Sequence, residues 1–167
     1  MEKIVNDFTI NIATANGTGS QSANLILLNA LFRMGTHASG KNLFPSNIAG
    51  LPTWYIVRVS DHGYQAPGDN THIQVVMNID TWSEDIEKLA PGTVLIHNTD
   101  VKAPVNRDDL IVYPVPMTSM ARKINPKLSK MVANMIYVGI MAEMLEIPQD
   151  IFCLLYTSDA ADEGLGV

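Results

Sequence analysis

Two glycines near the start of the chain have the spacing of a phosphate-binding loop. The pattern Gly17-x-Gly19-x-x-Ser22 follows a segment of alternating apolar residues and precedes a segment of helical periodicity. Free backbone N–H groups at a helix start, together with the positive end of the helix dipole, attract anions. The pattern therefore predicts an anion site at this turn. The candidate binding residues are Asn16, Gly17, Thr18, Gly19, Ser20 and Lys41.

The departures from a dinucleotide fingerprint favour a phosphate over a ribose. Ser22 replaces the third glycine, and Ser39 and Lys41 stand about 20 residues on, where a carboxylate would bind a ribose hydroxyl. A basic group at that place suits a phosphate better. The alternative is structural: Gly17 and Gly19 would only allow the strand to pack tightly on the helix.

The segment 41–55, KNLFPSNIAGLPTWY, is predicted to be a long shaped loop. It has few charges, and Pro45 and Pro52 fix φ and remove two backbone donors. Long ordered loops inside a domain are usually functional. Burying a polar side chain without a partner costs about 1–3 kcal/mol, so the polar residues should bond to one another, to backbone or to a ligand. They are Lys41, Asn42, Ser46, Asn47 and Thr53.

Other chemistries have little support in the sequence. The histidines are scattered, without Asp or Glu at ligand spacing, so no metal site is predicted. No serine lies in a nucleophile-elbow context. The net charge of −6, without a cluster of Lys and Arg, argues against nucleic-acid binding. Without a signal peptide or a segment long enough to cross a bilayer, a soluble cytoplasmic protein is expected.

Strands and helices alternate in the predicted elements. Strands are predicted near 8–13, 55–60, 73–77, 93–96 and 110–113, with the return strand of a hairpin near Tyr64. Helices are predicted over 23–34, about 80–89, near Met120, from 127 or 129 to 145, and from Pro148. The helix ending at 145 is so apolar that it should be buried on several sides or against a partner. The alternation predicts an α/β fold with a mainly parallel, mixed sheet flanked by helices.

The segment 153–167 is predicted to be a non-native tail, and residues 1–152 a single domain truncated at its C-terminus. The string CLLYTSDAADE, residues 153–163, resembles the translation of a transposase adapter from a sequencing library. The alternative is a natural frayed terminus. The only cysteine, Cys153, lies in this segment, so residues 1–152 offer no thiolate for an iron–sulfur cluster. Without the three acidic residues of the segment, the chain has 11 basic and 14 acidic residues, a net charge of −3.

Three blocks of the sequence together resemble one known family. They are Val5-Asn6-Asp7-Phe8, Asn16-Gly17-Thr18-Gly19-Ser20 and the segment 41–55. Their order and spacing, from about Val5 to Phe152, resemble the N-terminal gamma-type domain of the alpha subunit of 2-oxoacid:ferredoxin oxidoreductases, in particular the 2-oxoglutarate type. The resemblance implies the gamma-domain fold of pyruvate:ferredoxin oxidoreductase.

The resemblance implies a reaction that extends beyond this chain. A 2-oxoacid is decarboxylated on thiamine diphosphate with Mg, the acyl unit passes to coenzyme A, and electrons leave through a 4Fe-4S cluster to ferredoxin. The glycine loop is expected to contribute to coenzyme A binding, while the chain alone holds no cofactor and is inactive. The implied partners are the thiamine diphosphate domain of the same alpha subunit, the beta subunit and, through the complex, ferredoxin.

The resemblance also assigns the segment 41–55 to a domain interface or the mouth of the active site, because the gamma domain packs on the thiamine diphosphate domain. The residues concerned are Asn42, Pro45, Ser46, Asn47, Pro52 and Thr53. Two alternatives stay open. The chain could be a stand-alone nucleotide-binding α/β domain, or a catalytically silent interaction module.

Overall fold

The computed structural model describes residues 6–45, 48–66, 68, 70–152 and 155, and these residues contain six strands and four helices. The strands are β1 (Asp7–Ala15), β2 (Ala38–Leu43), β3 (Pro52–Ser60), β4 (Ile73–Val76), β5 (Val94–Asn98) and β6 (Ile111–Val115). The helices are α1 (Ser20–Arg33), α2 (Trp82–Glu87), α3 (Met117–Ile124) and α4 (Ser129–Met144).

The six strands form one mixed sheet in the order β2-β3-β1-β4-β5-β6. The pairs β1–β4, β4–β5 and β5–β6 are parallel, whereas β3 runs antiparallel to both β1 and β2. This arrangement confirms the predicted α/β fold with a mainly parallel, mixed sheet flanked by helices.

The two faces of the sheet carry different layers. Ile10 and Ile12 of β1 belong to the larger core, which also includes residues of α1, α3 and α4. Successive side chains of a strand point to opposite faces, so Ala13 lies on the other face. That face is covered beside β4 and β5 by a smaller core that includes Trp82 and Ile86 of α2. The larger core therefore joins the sheet to α1 and α4, the two helices nearest the glycine loop.

The prediction of one long loop over 41–55 is wrong at both ends. Residues 41–43 belong to β2, and β3 begins at Pro52. The first residue of a strand tolerates proline, and an edge strand such as β2 tolerates polar side chains. Pairing with β3 thus overrides a composition that is typical of a loop. What remains of the loop is the segment 44–51, in which Ser46 and Asn47 lie outside the described residues.

The predicted return strand near Tyr64 is also absent from the described part of the segment 61–72. β3 already has a strand on each side, β2 and β1, so no edge is left for a third partner. At the opposite edge of the sheet, β6 continues through Pro114, where the prediction had ended it. An edge strand accepts a proline because one of its sides needs no ladder hydrogen bond.

Helix α4 has one fully buried stripe, and much of the rest of its surface is partly covered. Ala133, Asn134, Tyr137, Val138 and Met141 are buried. Met135, Ile136 and Ile140 pack partly against the same core, while Met131 at the start of the helix is 47% exposed. The expectation of a helix buried on several sides is therefore met along most of its length but not at its start.

The chain after α4 returns to the larger core. Residues 149–152 are helical, as predicted from Pro148, and Leu155 is helical and 7% exposed against that core. The other residues of the predicted tail lie outside the described part of the chain. Among the described residues, no helix combines the length and apolarity needed to span a bilayer.

Candidate functional site

The glycine loop connects β1 to α1 and leaves its amides available. Gly17 and Gly19 have φ values of +77° and +80°, which glycine adopts without the strain that a Cβ causes. Asn16 and Gly17 form a turn, and within the described part of the chain the backbone N–H groups of Gly17, Thr18 and Gly19 donate no hydrogen bond of good geometry. Gly17 and Gly19 are exposed. The loop therefore presents unbonded donors at the surface, beside the positive end of α1.

Neighbouring elements hold the glycine loop in place. The Thr18 hydroxyl donates a hydrogen bond of 2.8 Å to the carbonyl of Ala15. From α4, the side-chain amide of Asn134 donates a bond of 2.8 Å to the carbonyl of Thr18. The loop is thus fixed both from its own strand and from a helix more than 100 residues along the chain.

The segment 48–51 holds the loop from the other side. The N–H of Asn16 donates to the carbonyl of Leu51 at 2.8 Å, and the N–H of Gly50 donates to the carbonyl of Asn16 at 2.8 Å. The Asn16 side-chain amide also donates to the carbonyl of Ile48 at 3.3 Å. These bonds join the two segments that the sequence singled out separately.

A cleft opens between the glycine loop and the start of α4. We call it the glycine-loop cleft, and its volume of about 380 Å³ falls within the range of about 300–1,000 Å³ that is typical of small-ligand sites. Its lining residues are Gly17, Thr18, Gly19, Lys127, Leu128, Ser129, Lys130 and Met131. The starts of α1 and α4, both positive ends of helix dipoles, lie beside it.

Lys127 and Lys130 are cleft residues that sequence reasoning missed. The sequence places two basic residues just before and inside the first turn of a long apolar helix, which is a usable signal. Nothing in the local pattern, however, connects that helix start with the glycine loop. The connection comes from the packing of α4 on α1, where the hydroxyl of Tyr137 donates a 2.8 Å bond to the side-chain oxygen of Asn24.

Lys41 lies on the other side of the sheet. It pairs with Ile56, which pairs with Asn11, whereas Asn42 pairs with Tyr55 on the face of the larger core. Directly paired residues share a face of the sheet, so Lys41 lies on the face away from α1. The described residues that line the glycine-loop cleft do not include it.

A second, smaller cavity lies between the start of α1 and the β2–β3 hairpin, and we call it the hairpin cavity. It brings together Asn16 and Ser20 of the predicted binding residues with Asn42 and Thr53 of the predicted interface residues. Pro45 is exposed in the neighbouring loop, and Pro52 begins β3. The full lining is Thr14, Asn16, Ser20, Gln21, Asn24, Asn42, Phe44, Thr53, Trp54 and Tyr55.

The hairpin cavity is polar but uncharged. Its lining has no ionised side chain, and burial raises the pKa of Tyr55, which keeps that phenol protonated. Burial also raises the pKa of Tyr137, whose hydroxyl binds Asn24. With a volume of about 120 Å³, the cavity has room for a few water molecules of about 30 Å³ each or a small neutral group.

The glycine loop lies where the sheet changes direction. After β1 the chain forms β2 and β3 on one side of that strand, and β4, β5 and β6 follow on its other side. Ligands of open α/β sheets bind outside the carboxyl ends of the strands at such a switch point. Asn78, just after β4, joins the two strand ends by donating a 2.7 Å bond to the carbonyl of Thr14.

Among the described residues, no group of three or more His, Cys, Asp and Glu side chains is arranged to hold a metal ion. The donor set around the glycine loop consists of amides, hydroxyls and two ammonium groups. Amide N–H and ammonium groups are donors that bind anions.

Comparisons with known proteins identify the family to which this fold belongs. A family model described as pyruvate ferredoxin/flavodoxin oxidoreductase matches residues 9–159. The chain belongs to this family. The match includes the glycine loop and both lysines of the cleft, and it extends past residue 152, where the domain was predicted to end. A comparison with curated protein sequences gives no match.

Solved structures from this family have the same fold. One is 2-oxoglutarate:ferredoxin oxidoreductase from Magnetococcus marinus with 2-oxoglutarate, coenzyme A and succinyl-CoA bound (TM-score 0.84, 22% identity, 96% of this chain covered). Another is the gamma subunit of a keto/oxoacid ferredoxin oxidoreductase from Geobacter sulfurreducens (TM-score 0.72, 17% identity, 90% covered). A third is pyruvate oxidoreductase subunit PORC from Thermotoga maritima (TM-score 0.64, 19% identity, 89% covered).

The three structures differ in how much of each the chain matches. It spans 28% of the Magnetococcus marinus chain but 85% and 82% of the other two. The gamma-domain fold that the resemblance implied is therefore confirmed. In the matched structures this fold forms part of a long chain in one case and most of a separate subunit in the other two.

Proposed function

We propose that this chain is the gamma-type domain of the alpha subunit of a 2-oxoacid:ferredoxin oxidoreductase of the 2-oxoglutarate type. In support, it matches 28% of the Magnetococcus marinus enzyme chain with the highest TM-score of the three structures described above. The whole enzyme would decarboxylate a 2-oxoacid on thiamine diphosphate, transfer the acyl unit to coenzyme A and pass electrons through an iron–sulfur cluster to ferredoxin.

The role proposed for the glycine loop is to bind a phosphate of coenzyme A. The observation that carries this role is the set of unbonded amides of Gly17, Thr18 and Gly19 at the edge of the glycine-loop cleft. Coenzyme A supplies the thiol that accepts the acyl unit, and this chain would hold the other end of the molecule. The proposed binding residues are Asn16, Gly17, Thr18, Gly19, Ser20 and Lys41.

A second role is assembly with the thiamine diphosphate domain and the beta subunit. The end of β2 and the loop after it expose four large apolar side chains close to the glycine loop, which are Leu43, Phe44, Ile48 and Leu51. Clustered exposed apolar side chains mark interaction surfaces. This loop, with Asn42, Pro45, Ser46, Asn47, Pro52 and Thr53, would line a domain interface or the mouth of the active site.

The cofactors of the whole reaction would be held elsewhere. The described residues offer no metal-binding group of side chains for the Mg of thiamine diphosphate and no cysteine for a 4Fe-4S cluster. We therefore propose that the chain alone is inactive. Purified chain should not support 2-oxoacid-dependent reduction of a viologen dye, and activity in a monodisperse preparation would contradict the proposal. We place the protein in the cytoplasm.

The coenzyme A role is tested by changing Gly19 in the complete enzyme. Gly19→Asp adds a negative charge at the amides, while Gly19→Asn adds nearly the same shape without charge, and both residues tolerate positive φ better than most. A raised KM for coenzyme A in Gly19→Asp but not in Gly19→Asn, with the KM for the 2-oxoacid unchanged, supports the role. Equal KM values for coenzyme A in both variants and wild type refute it. Lys41→Ala tests the lysine in the same assay.

Two other functions make different predictions for the isolated chain. Tight binding of NAD or ADP would favour a stand-alone nucleotide-binding domain. A glycine loop that binds neither nucleotides nor coenzyme A, in a chain that still assembles with its partners, would favour a silent interaction module.

The domain boundary at residue 152 can be tested by truncation. Of the predicted non-native tail, 153–167, we propose that the segment 156–167 is dispensable, because residues 156–163 belong to the adapter-like string. Leu155 is buried, and removing a buried leucine costs about 1.5–3 kcal/mol. A chain that ends at residue 155 should therefore melt like the full chain. A further loss of several degrees in the chain that ends at 152 would extend the domain beyond the predicted boundary.

A further inference from the structure

We infer that the glycine-loop cleft binds a diphosphate group, and that Lys127 and Lys130, rather than Lys41, supply the positive charge. The inference rests on the proposed function for the identity of coenzyme A as the natural ligand. The chemistry of the cleft is independent of that identity, because any diphosphate ester offers the same group.

Neither cleft lysine forms an ion pair with another described residue. Among the described residues, the ion pairs are Arg58–Asp7, Lys88–Glu84 and Arg107–Asp109, so no carboxylate lies within 4 Å of either cleft lysine. Both lysines line the cleft and are exposed. Two ammonium groups on one cleft repel each other unless an anion lies between them, and a ligand with two negative charges removes that repulsion.

The backbone before α4 fixes the position of Lys127. The side-chain oxygen of Asn125 accepts hydrogen bonds from the N–H of Lys127 at 3.1 Å and from the N–H of Leu128 at 3.2 Å. Lys130 follows within the first turn of α4. The two charges therefore come from a turn and a helix start held in place, which reduces the entropy lost when they bind a ligand.

A side chain at Gly19 would occupy part of the cleft. A Cβ built on Gly19 would lie 3.6 Å from Cγ of Met131, across the gap between the glycine loop and α4. A Cβ on Gly17 would lie 3.3 Å from Cβ of Ala49, which is a tight contact. Glycine at 19 thus leaves open part of a cleft that Lys127 and Lys130 also line. Amides and ammonium groups together are suited to the oxygens of a diphosphate.

Calorimetric titration of the 167-residue chain tests the inference with three probes: inorganic pyrophosphate, coenzyme A and dephospho-coenzyme A. Dephospho-coenzyme A keeps the diphosphate and lacks the ribose 3′-phosphate. Lys127→Gln and Lys130→Gln should each raise the Kd of all three probes by about five- to tenfold, as expected for one charge-assisted contact. Lys102→Gln and Lys123→Gln are the matched controls, since both replace exposed lysines outside the cleft, and their Kd values should stay within about twofold of wild type. Lys41→Gln is titrated beside them to test the lysine named in the proposed function.

The outcomes separate this inference from the proposed function. If coenzyme A binds and only Lys41→Gln weakens it, the inference is wrong and the proposed function stands. If pyrophosphate binding depends on both cleft lysines but coenzyme A does not bind, the diphosphate site is supported and the proposed coenzyme A role is wrong. A tenfold weaker Kd for dephospho-coenzyme A than for coenzyme A would assign the cleft to the 3′-phosphate and overturn the diphosphate. Absence of binding by all three probes overturns both.

Discussion

The indole Nε1–H of Trp54 donates a hydrogen bond of 2.8 Å to Oδ1 of Asp85, which ties β3 to α2. The other carboxylate oxygen accepts a 2.6 Å bond from the hydroxyl of Thr81. Asp85 is 7% exposed. Burial raises the pKa of its carboxyl above the ordinary value near 3.8, although the bonds from Thr81 and Trp54 act in the opposite direction. The β2–β3 hairpin, which lines the hairpin cavity, is thus anchored by the carboxyl of Asp85, and burial makes that carboxyl costly to ionise.

Replacing Asp85 should reveal the free-energy cost of ionising its buried carboxyl, through a change in how stability depends on pH. Because the pKa is raised in the folded state, the carboxyl contributes most to stability below pH 3.8 and loses that contribution as pH rises through the folded pKa. Asp85→Asn keeps an acceptor for Trp54 and carries no charge. Relative to wild type, its unfolding free energy should therefore rise between pH 3.5 and 7, as measured by urea denaturation.

Asp85→Ala is the matched comparison, because it also removes the charge but leaves Trp54 and Thr81 without their acceptor. It should be less stable than Asp85→Asn by about 1–3 kcal/mol at pH 7. Equal stability of the two variants would show that the hydrogen bonds do not anchor the hairpin.

His72 should make the domain sensitive to mild acid. Its Nδ1 accepts a 3.1 Å bond from the N–H of Thr9, so this nitrogen carries no proton. Burial lowers the pKa of His72, and the charge of Arg58 lowers it further while Asp7 opposes this. A lowered pKa means that the contribution of His72 to stability is fully present above pH 6.5 and is lost as pH falls through the folded pKa.

The measurement is the urea midpoint at pH 7.5 and at pH 5.5. Wild type should lose more stability between the two values than His72→Gln, whose side chain stays neutral. Burial also lowers the pKa of His97, which should leave some of the pH dependence in the variant. His37→Gln, at an exposed site, is the control. A drop in His72→Gln as large as that in wild type would rule out His72 as the cause.

The unit from β1 to α1 could be predicted because its signals are local. Phe8, Ile10 and Ile12 alternate as a strand requires, and Gly35, with φ +80°, stops the helix where expected. Strand β2 could not be predicted in the same way. Its sequence, ASGKNL, is polar and contains a glycine, and it becomes a strand only because it pairs with β3.

The position of Lys41 away from the glycine-loop cleft has a topological cause. The spacing rule that pointed to it assumes that the second strand lies parallel to and beside the first. Here β3 separates β2 from β1, and β2 runs antiparallel to β3. The basic residues that do reach the glycine loop, Lys127 and Lys130, come from a helix start more than 100 residues away, which no local pattern could connect with it.

Gly40 and Gly139 should respond in opposite ways to alanine. A Cβ on Gly40 would lie 2.7 Å from Cζ of Tyr55 and 2.8 Å from Cδ2 of Leu28, so Gly40→Ala forces a buried ring to move. We expect a loss of about 1–3 kcal/mol from this overpacking. Gly139 lies inside α4 with open space around its Cβ position, and Gly139→Ala should add about 0.5–1 kcal/mol.

Urea denaturation of both alanine variants checks the pair. Replacing the ring as well, in Gly40→Ala with Tyr55→Leu, should recover part of the loss because the flexible leucine can move aside. If Gly40→Ala is as stable as wild type, the ring of Tyr55 can adopt another position without loss of stability.

Asn134 should hold the glycine loop in position, whereas Tyr137, on the same helix, should not. Its side-chain amide donates to the carbonyl of Thr18, whereas the hydroxyl of Tyr137, one turn later on α4, donates to Asn24. Asn134→Ala and Tyr137→Phe each remove one buried bond between α4 and the region of α1, and each should cost about 1–2 kcal/mol in urea denaturation. Only Asn134→Ala releases the loop, so only this variant should lower the heteronuclear ¹⁵N NOE of Gly17, Thr18 and Gly19 and weaken pyrophosphate binding. A comparable loosening of the loop in Tyr137→Phe would mean that α4 supports it through packing as a whole rather than through Asn134.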